Sequence, residues 1–166
     1  MKNNPLISRR NGFRYISAAI LIFFLFGVTT SVEALASTRY VASSGVDSGN
    51  CSSSASPCRT IQYAANQSAS GDRILVAQGI YTYNAGTDLC SFLQTRAVVC
   101  FVDKSLTILG GYSTSNWSTA NPSANLTVID GQNARRGVAV IGFNTTTTFL
   151  DMEGFTIQNG RAQGPT

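Results

Sequence analysis

The spacing of apolar positions changes character within one short stretch, Thr60 to Tyr83. In TIQYAANQS, Ile61, Ala64, Ala65 and Ser68 fall at i, i+3, i+4 and i+7, which predicts a short helix with one small-residue face. Ser56-Pro57 or Thr60 can start it, and Gly71 fits the left-handed position just past its end. Such a helix is too short to be stable alone, so it must dock on something. The next run, Arg73-Ile74-Leu75-Val76-Ala77, is apolar on both faces, as a parallel strand covered on both sides would be. Gly79 bends the chain, and Ile80-Tyr81-Thr82 starts another short strand.

Upstream, Tyr40-Val41-Ala42 predicts a first strand, and the Ser/Gly-rich remainder of 37–59 predicts a loop. Downstream, Asn84 to Lys104 reads as an insertion, with Ala97–Val102 in a hairpin. Beyond it, strands beginning at Leu106, Leu126 and Phe149 each close on a glycine: Gly110-Gly111, Gly131 and Gly154. Secondary strands, Val138–Ile141 and Phe155–Ile157, lie between and after them. Taking Leu106, Leu126 and Leu150 as equivalent gives a period of about 20–25 residues, the mark of a solenoid of short strands. A β-sandwich is the alternative, but few strands alternate apolar with charged residues as a one-sided antiparallel sheet would.

Composition changes this picture in three ways. Much of the net charge of +4 comes from Lys2, Arg9, Arg10 and Arg14, which precede an apolar stretch, Tyr15 to Val28, and an Ala34-Leu35-Ala36 cleavage pattern. Residues 1–36 therefore read as a signal peptide, 37–59 as a Cys/Ser-rich loop and 60–166 as the capping helix and first coils. The alternative for the leader is an uncleaved anchor, the sole expected membrane contact. The protein is expected to be secreted or at the cell surface. Four cysteines, Cys51, Cys58, Cys90 and Cys100, then point to disulfides. Three pairings exist, and the local ones, Cys51–Cys58 and Cys90–Cys100, are favoured because each closes a short loop. The absence of histidine excludes Ser-His-Asp and Cys-His machinery and His-bound metals.

TIQYAANQSASGDRILVAQGIYT resembles the opening segment of right-handed parallel β-helix proteins of the pectin-lyase-like superfamily, in which a T-I-Q-x-A helix caps the solenoid and G-D-x-I-x-V-x-x-G-x-Y forms the first rung. LTILGGYS, LTVIDGQNA and MEGFTIQNG resemble the repeats of the same proteins, and the Cys-rich loop is similar to that of an exported bacterial branch of unassigned activity. The resemblance spans roughly Arg39 to Gly160. It implies an all-β, right-handed parallel β-helix, incomplete at its C-terminus, and it does not by itself imply an activity. The catalytic aspartate clusters of the hydrolases and the calcium-binding aspartates of the lyases have no counterpart in this stretch.

Candidate sites are few. Asp151 and Glu153, at i and i+2 on a strand, share a face, where two carboxylates can do glycosidase work or bind calcium; a solvent-facing pair is the favoured reading. Tyr112 and Trp117 flank the loop GGYSTSNWSTANP and suit sugar stacking, though burial of the rings is favoured. Arg135-Arg136, a basic pair in a turn, can contact an acidic polysaccharide, though solvation is favoured. It is too small a cluster to imply nucleic acid. The polar run Asn144–Thr148 suits a strand with stacked threonines. The expected function is an exported, non-enzymatic scaffold, adhesin-like or polysaccharide-binding, that recognises a cell-surface glycan without a cofactor. The alternative is the N-terminal part of a polysaccharide lyase or glycoside hydrolase whose catalytic coils lie beyond residue 166.

Overall fold

The computed structural model describes residues 35–87, 90, 96–143 and 147–162. The leader reading for 1–34 and part of the polar run, 144–146, lie outside the described residues. Among these residues the order is β1 (Thr38–Val41), α1 (Ile61–Gln67), β2 (Arg73–Ala77), β3 (Gly79–Tyr81), β4 (Ala97–Val102), β5 (Leu106–Tyr112), β6 (Thr127–Asp130), β7 (Arg136–Ile141), β8 (Leu150–Glu153) and β9 (Thr156–Gln158). The strands form three sheets, β1-β2-β5-β8, β3-β6-β9 and β4-β7. Every pairing between these strands is parallel, which rules out the antiparallel sandwich. The described residues are mostly strand, with α1 as the one α-helix among them, and they visit the sheets in one order: β2-β3-β4, then β5-β6-β7, then β8-β9.

That order corrects the expected period. Leu126 lies just before β6, in a different sheet from Leu106, whereas Leu106 does lie beside Leu150, and Ile74 lies beside Ile108, which lies beside Met152. The glycine-closed motif occurs in strands of two different sheets, so matching motifs merged positions that do not pair. Ala97–Val102 is likewise no inserted hairpin. It is β4, paired in parallel with β7, and sends Val99 and Phe101 into the main core with Ile61, Ile74, Val76, Leu106, Ile108 and Ile129. Cys100 packs instead with Cys90 and Ala97. Both favoured disulfides form, Cys51–Cys58 and Cys90–Cys100, which fits an oxidising environment.

Two glycines also differ from expectation. Gly71 has a positive φ of 92° but sits in the turn before Asp72, because α1 ends at Gln67 with an extended cap at Ser68. Gly110-Gly111 does not end its strand: β5 runs on to Tyr112 through an irregularity in its register with β2. A Cβ on Gly110 would stand 2.5 Å from the carbonyl oxygen of Gly154 in the next coil, so the two backbones touch there.

A parallel stack leaves backbone groups unpaired along its first strands. The first sheet is covered by the disulfide loop. Tyr40 N–H donates to Cys51 O at 2.8 Å, and Cys58 N–H donates to Tyr40 O at 2.9 Å. The third sheet is covered by α1, whose buried Gln62 donates through Nε2 to Cys100 O at 2.7 Å and accepts Cys100 N–H at Oε1. One carboxamide thus stands in for a strand. The helix is held in place by Thr60, whose Oγ1 accepts Tyr63 N–H at 3.1 Å, and by Asp47, which accepts the N–H groups of Arg59 and Thr60 at 2.8 Å each.

Beneath the helix, Arg39 and Asp72 form a buried ion pair at 2.8 Å. Arg39 also donates to Ser68 Oγ and Asn50 O, and Asp72 accepts from Ser37 N–H and Ala69 N–H. Lys104 Nζ donates to the carbonyls of Ala65 in α1 and of its cap, Ser68, at 3.1 and 2.8 Å. Burial and the nearby Arg39 charge lower the Lys104 ammonium pKa, against the pull of Asp72. For Asp72, burial would raise the carboxyl. The N–H groups of Ser37 and Ala69 and the Arg39 guanidinium outweigh it and hold the group below its ordinary 3.8.

Because the folded-state value lies below the unfolded one, the unfolded chain takes up this proton first as pH falls. The stabilisation is complete above the ordinary carboxylate value and is lost as pH falls through the folded value. Urea unfolding of the wild type should therefore weaken below about pH 4. Asp72→Asn, which strands Arg39, should cost about 3–5 kcal/mol at neutral pH and flatten that acid limb. An acid limb of unaltered slope in the variant would assign the sensitivity to other carboxylates. Opening Cys51–Cys58 by a double serine substitution should cost about 2–3 kcal/mol, read from the same unfolding curves.

Candidate functional site

The second sheet is treated differently from its neighbours. Its first strand, β3, pairs only with β6, and its other edge opens on a groove. The groove holds about 210 Å³ and is lined by Ser43, Arg59, Thr60, Ile80, Tyr81, Thr82, Tyr83 and Asn84. Pockets that enclose a small molecule run to roughly 300–1,000 Å³, so this one suits surface contact with part of an extended ligand. Hydroxyls, a carboxamide, a guanidinium and an aromatic ring are the groups that bind sugars by hydrogen bonding and ring contact.

The fold sets each of these groups. Gly79, at φ 151°, turns the chain from β2 into β3 against Ser43. Alternation along β3 then buries Tyr81 and leaves Ile80 63% exposed. Tyr81 OH donates to Ala77 O at 2.7 Å, and burial raises its pKa far above the usual phenol value, so it is a structural group. Arg59 is fixed at its stem, since its Nε donates to Gly45 O at 3.1 Å. Tyr83 is covered on one side by Arg135, whose guanidinium carbon lies 4.1 Å from the ring centroid.

Arg135 is therefore packed rather than simply solvated, and its Nη1 also donates to Gln132 Oε1 at 3.0 Å. Arg136 is no longer in the turn and begins β7. The nearby Asp130 is engaged by its own corner. It accepts from Gln132 N–H at 2.7 Å and from the amides of Gln158 and Asn159, and these bonds, the first above all, lower its pKa.

The other sequence candidates lie apart from the groove. Asp151 and Glu153 are exposed on β8, beside Thr107 and Leu109 of β5. Among the described residues no group of three His, Cys, Asp or Glu side chains gathers where a metal ion would be held. Tyr112 is buried, and Trp117 stacks on it at 6.2 Å and meets Tyr40 edge-on at 5.2 Å. These rings join their loop to β1 and β5 of the first sheet. The groove itself was not read from the sequence, because Ser43, Arg59 and Tyr83 meet only through the coil. No protein-family model, curated protein or solved structure matches this chain.

Trp117 is the sole tryptophan, so its fluorescence reports on the ring cluster directly. Its Nε1 is buried without a hydrogen-bond partner. Trp117→Phe should thus be tolerated, while Trp117→Ala should cost about 1–3 kcal/mol in urea unfolding. The wild-type emission should be blue-shifted and unchanged by added glycans. A glycan-dependent shift would restore Trp117 to a binding role.

Proposed function

We propose that this chain is the N-terminal, capped part of an exported right-handed parallel β-helix that binds polysaccharide at the cell surface and does no catalysis in this stretch. The architecture is supported by the three parallel sheets visited in a constant order and by the T-I-Q helix seated over the first coil. Export is supported by the A-x-A leader pattern and by both disulfides. The observation that carries the binding function is the shallow groove on the β3 edge, with Arg59, Thr82, Tyr83 and Asn84 on a rigid frame. It is too open to exclude water from a reacting bond and well shaped to hold a short length of glycan chain.

Retention of the full chain on insoluble glycan columns tests this. Retention should survive Asp151→Asn and Glu153→Gln and should be weakened by Thr82→Ala with Asn84→Ala. Depolymerisation of a glycan that disappears in Asp151→Asn or Glu153→Gln would replace binding by catalysis.

A further inference from the structure

The first strand begins where the leader pattern ends. In Ala34-Leu35-Ala36 the small residues of the cleavage pattern place the scissile bond at Ala36–Ser37. The compact unit that holds the strands begins at Leu35, which is 92% exposed, and Ala36 and Ser37 are exposed as well, so a peptidase can reach this bond. Immediately after it the chain is fixed. Ser37 O accepts Arg73 N–H at 2.9 Å, Ser37 N–H donates to Asp72 Oδ1 at 2.8 Å, and Thr38 opens β1 beside Arg73.

Asp72 is 3% exposed, and its two oxygens are used unequally. Oδ2 accepts from Arg39 Nη2 and from Ala69 N–H. Among the described residues Oδ1 accepts only from Ser37 N–H. A carboxylate oxygen takes about two hydrogen bonds, so Oδ1 has room for another proton on the same nitrogen.

We infer that Ala36–Ser37 is a processing site and that the α-ammonium released there docks on Asp72, so that removal of the leader completes the charge cluster at the start of β1. The inference rests on the export part of the reading above and is independent of glycan binding. A peptidase adds water across the Ala36–Ser37 bond. The water oxygen goes to the Ala36 carboxylate, and Ser37 N leaves as an amine that takes up a proton at neutral pH. The nitrogen that donated one amide proton then carries three and a positive charge, and its contact with Oδ1 becomes charge-assisted.

The other cations of this neighbourhood are engaged elsewhere. Arg39 is bonded to Oδ2, Ser68 Oγ and Asn50 O, and Lys104 Nζ to the carbonyls of Ala65 and Ser68. Arg73, next to Asp72, is exposed. None of these bonds uses Oδ1, and water at the exposed Ser37 screens the repulsion among the cations, so the direct contact wins.

Secretion of the full chain from a bacterial host, with the mass and N-terminal sequence of the product, tests the processing. The product should begin at Ser37. Another first residue would overturn the inference and leave export standing. A chain retained intact would overturn both, and glycan retention would be judged separately. Beyond Ala36 the sequence holds a single lysine, Lys104, so the product has two amines, which peptide mapping separates. Carbamylation by cyanate at pH 7 tests the docking, because only the unprotonated amine reacts. The Ser37 amine should react about three to ten times more slowly in the native chain than in guanidinium chloride. Inserting Gly-Ser between Ala36 and Ser37 keeps the amide bond to Asp72 but moves the ammonium away, and should abolish the protection. Ser37→Ala keeps the nitrogen and should retain it. Equal rates in the native and unfolded chains, protection that survives the insertion, or protection lost in Ser37→Ala would overturn the docking.

Discussion

A stack of parallel strands must finish its hydrogen bonds at the end where it begins, and the buried Gln62 carboxamide meets that constraint for the third sheet. Its contact with both the N–H and the C=O of Cys100 gives β4 the partner that a preceding strand would have supplied. The Cys51–Cys58 loop does the same for β1 through Tyr40. With those two edges closed, Ile74, Ile108, Val99 and Ile129 can be buried together as one core. Leaving β4 open beneath a helix would strand polar groups away from water, at a cost larger than the small-residue contacts of α1 could offset.

The second sheet is the exception, and the binding we propose is assigned to it. Where the other first strands meet the Gln62 carboxamide or loop backbone, β3 faces a groove lined by Ile80, Arg59 and Tyr83. The frame around it is rigid for reasons unrelated to any ligand. Asp47 ties Arg59 to the helix start, and Tyr81 OH is anchored on Ala77. The Arg39–Asp72 pair and Lys104 fix the far end of the same helix.

How much of this could be read in the residues depended on whether the signal was local. α1, β2 and the paired cysteines were legible because periodicity, apolar runs and short separations are properties of neighbouring positions. The stacking register was not, since it depends on how much chain each coil spends outside the strands. The connection from β2 to β3 is Gln78 alone, whereas the one from β5 to β6 runs over 113–126, and no glycine motif encodes that difference. Gln62 was visible as a letter of the T-I-Q pattern, but its role requires knowing that a strand edge lies beneath it. Asp151 and Glu153 show the reverse case, a local pairing that the surrounding coil leaves without companions.

The Gln62 bond also bears on the order in which the chain can fold. Its partner, Cys100, lies 38 residues further along. Until β4 has been made, the helix has only β1 and β2 to pack on and its amide has only water and Asn66 to bond. The lid is therefore finished by the coil it covers. The stretch that completes this end runs from β1 through β4, and a polypeptide emerging N-terminus first would pass its first hundred residues before the lid could be closed.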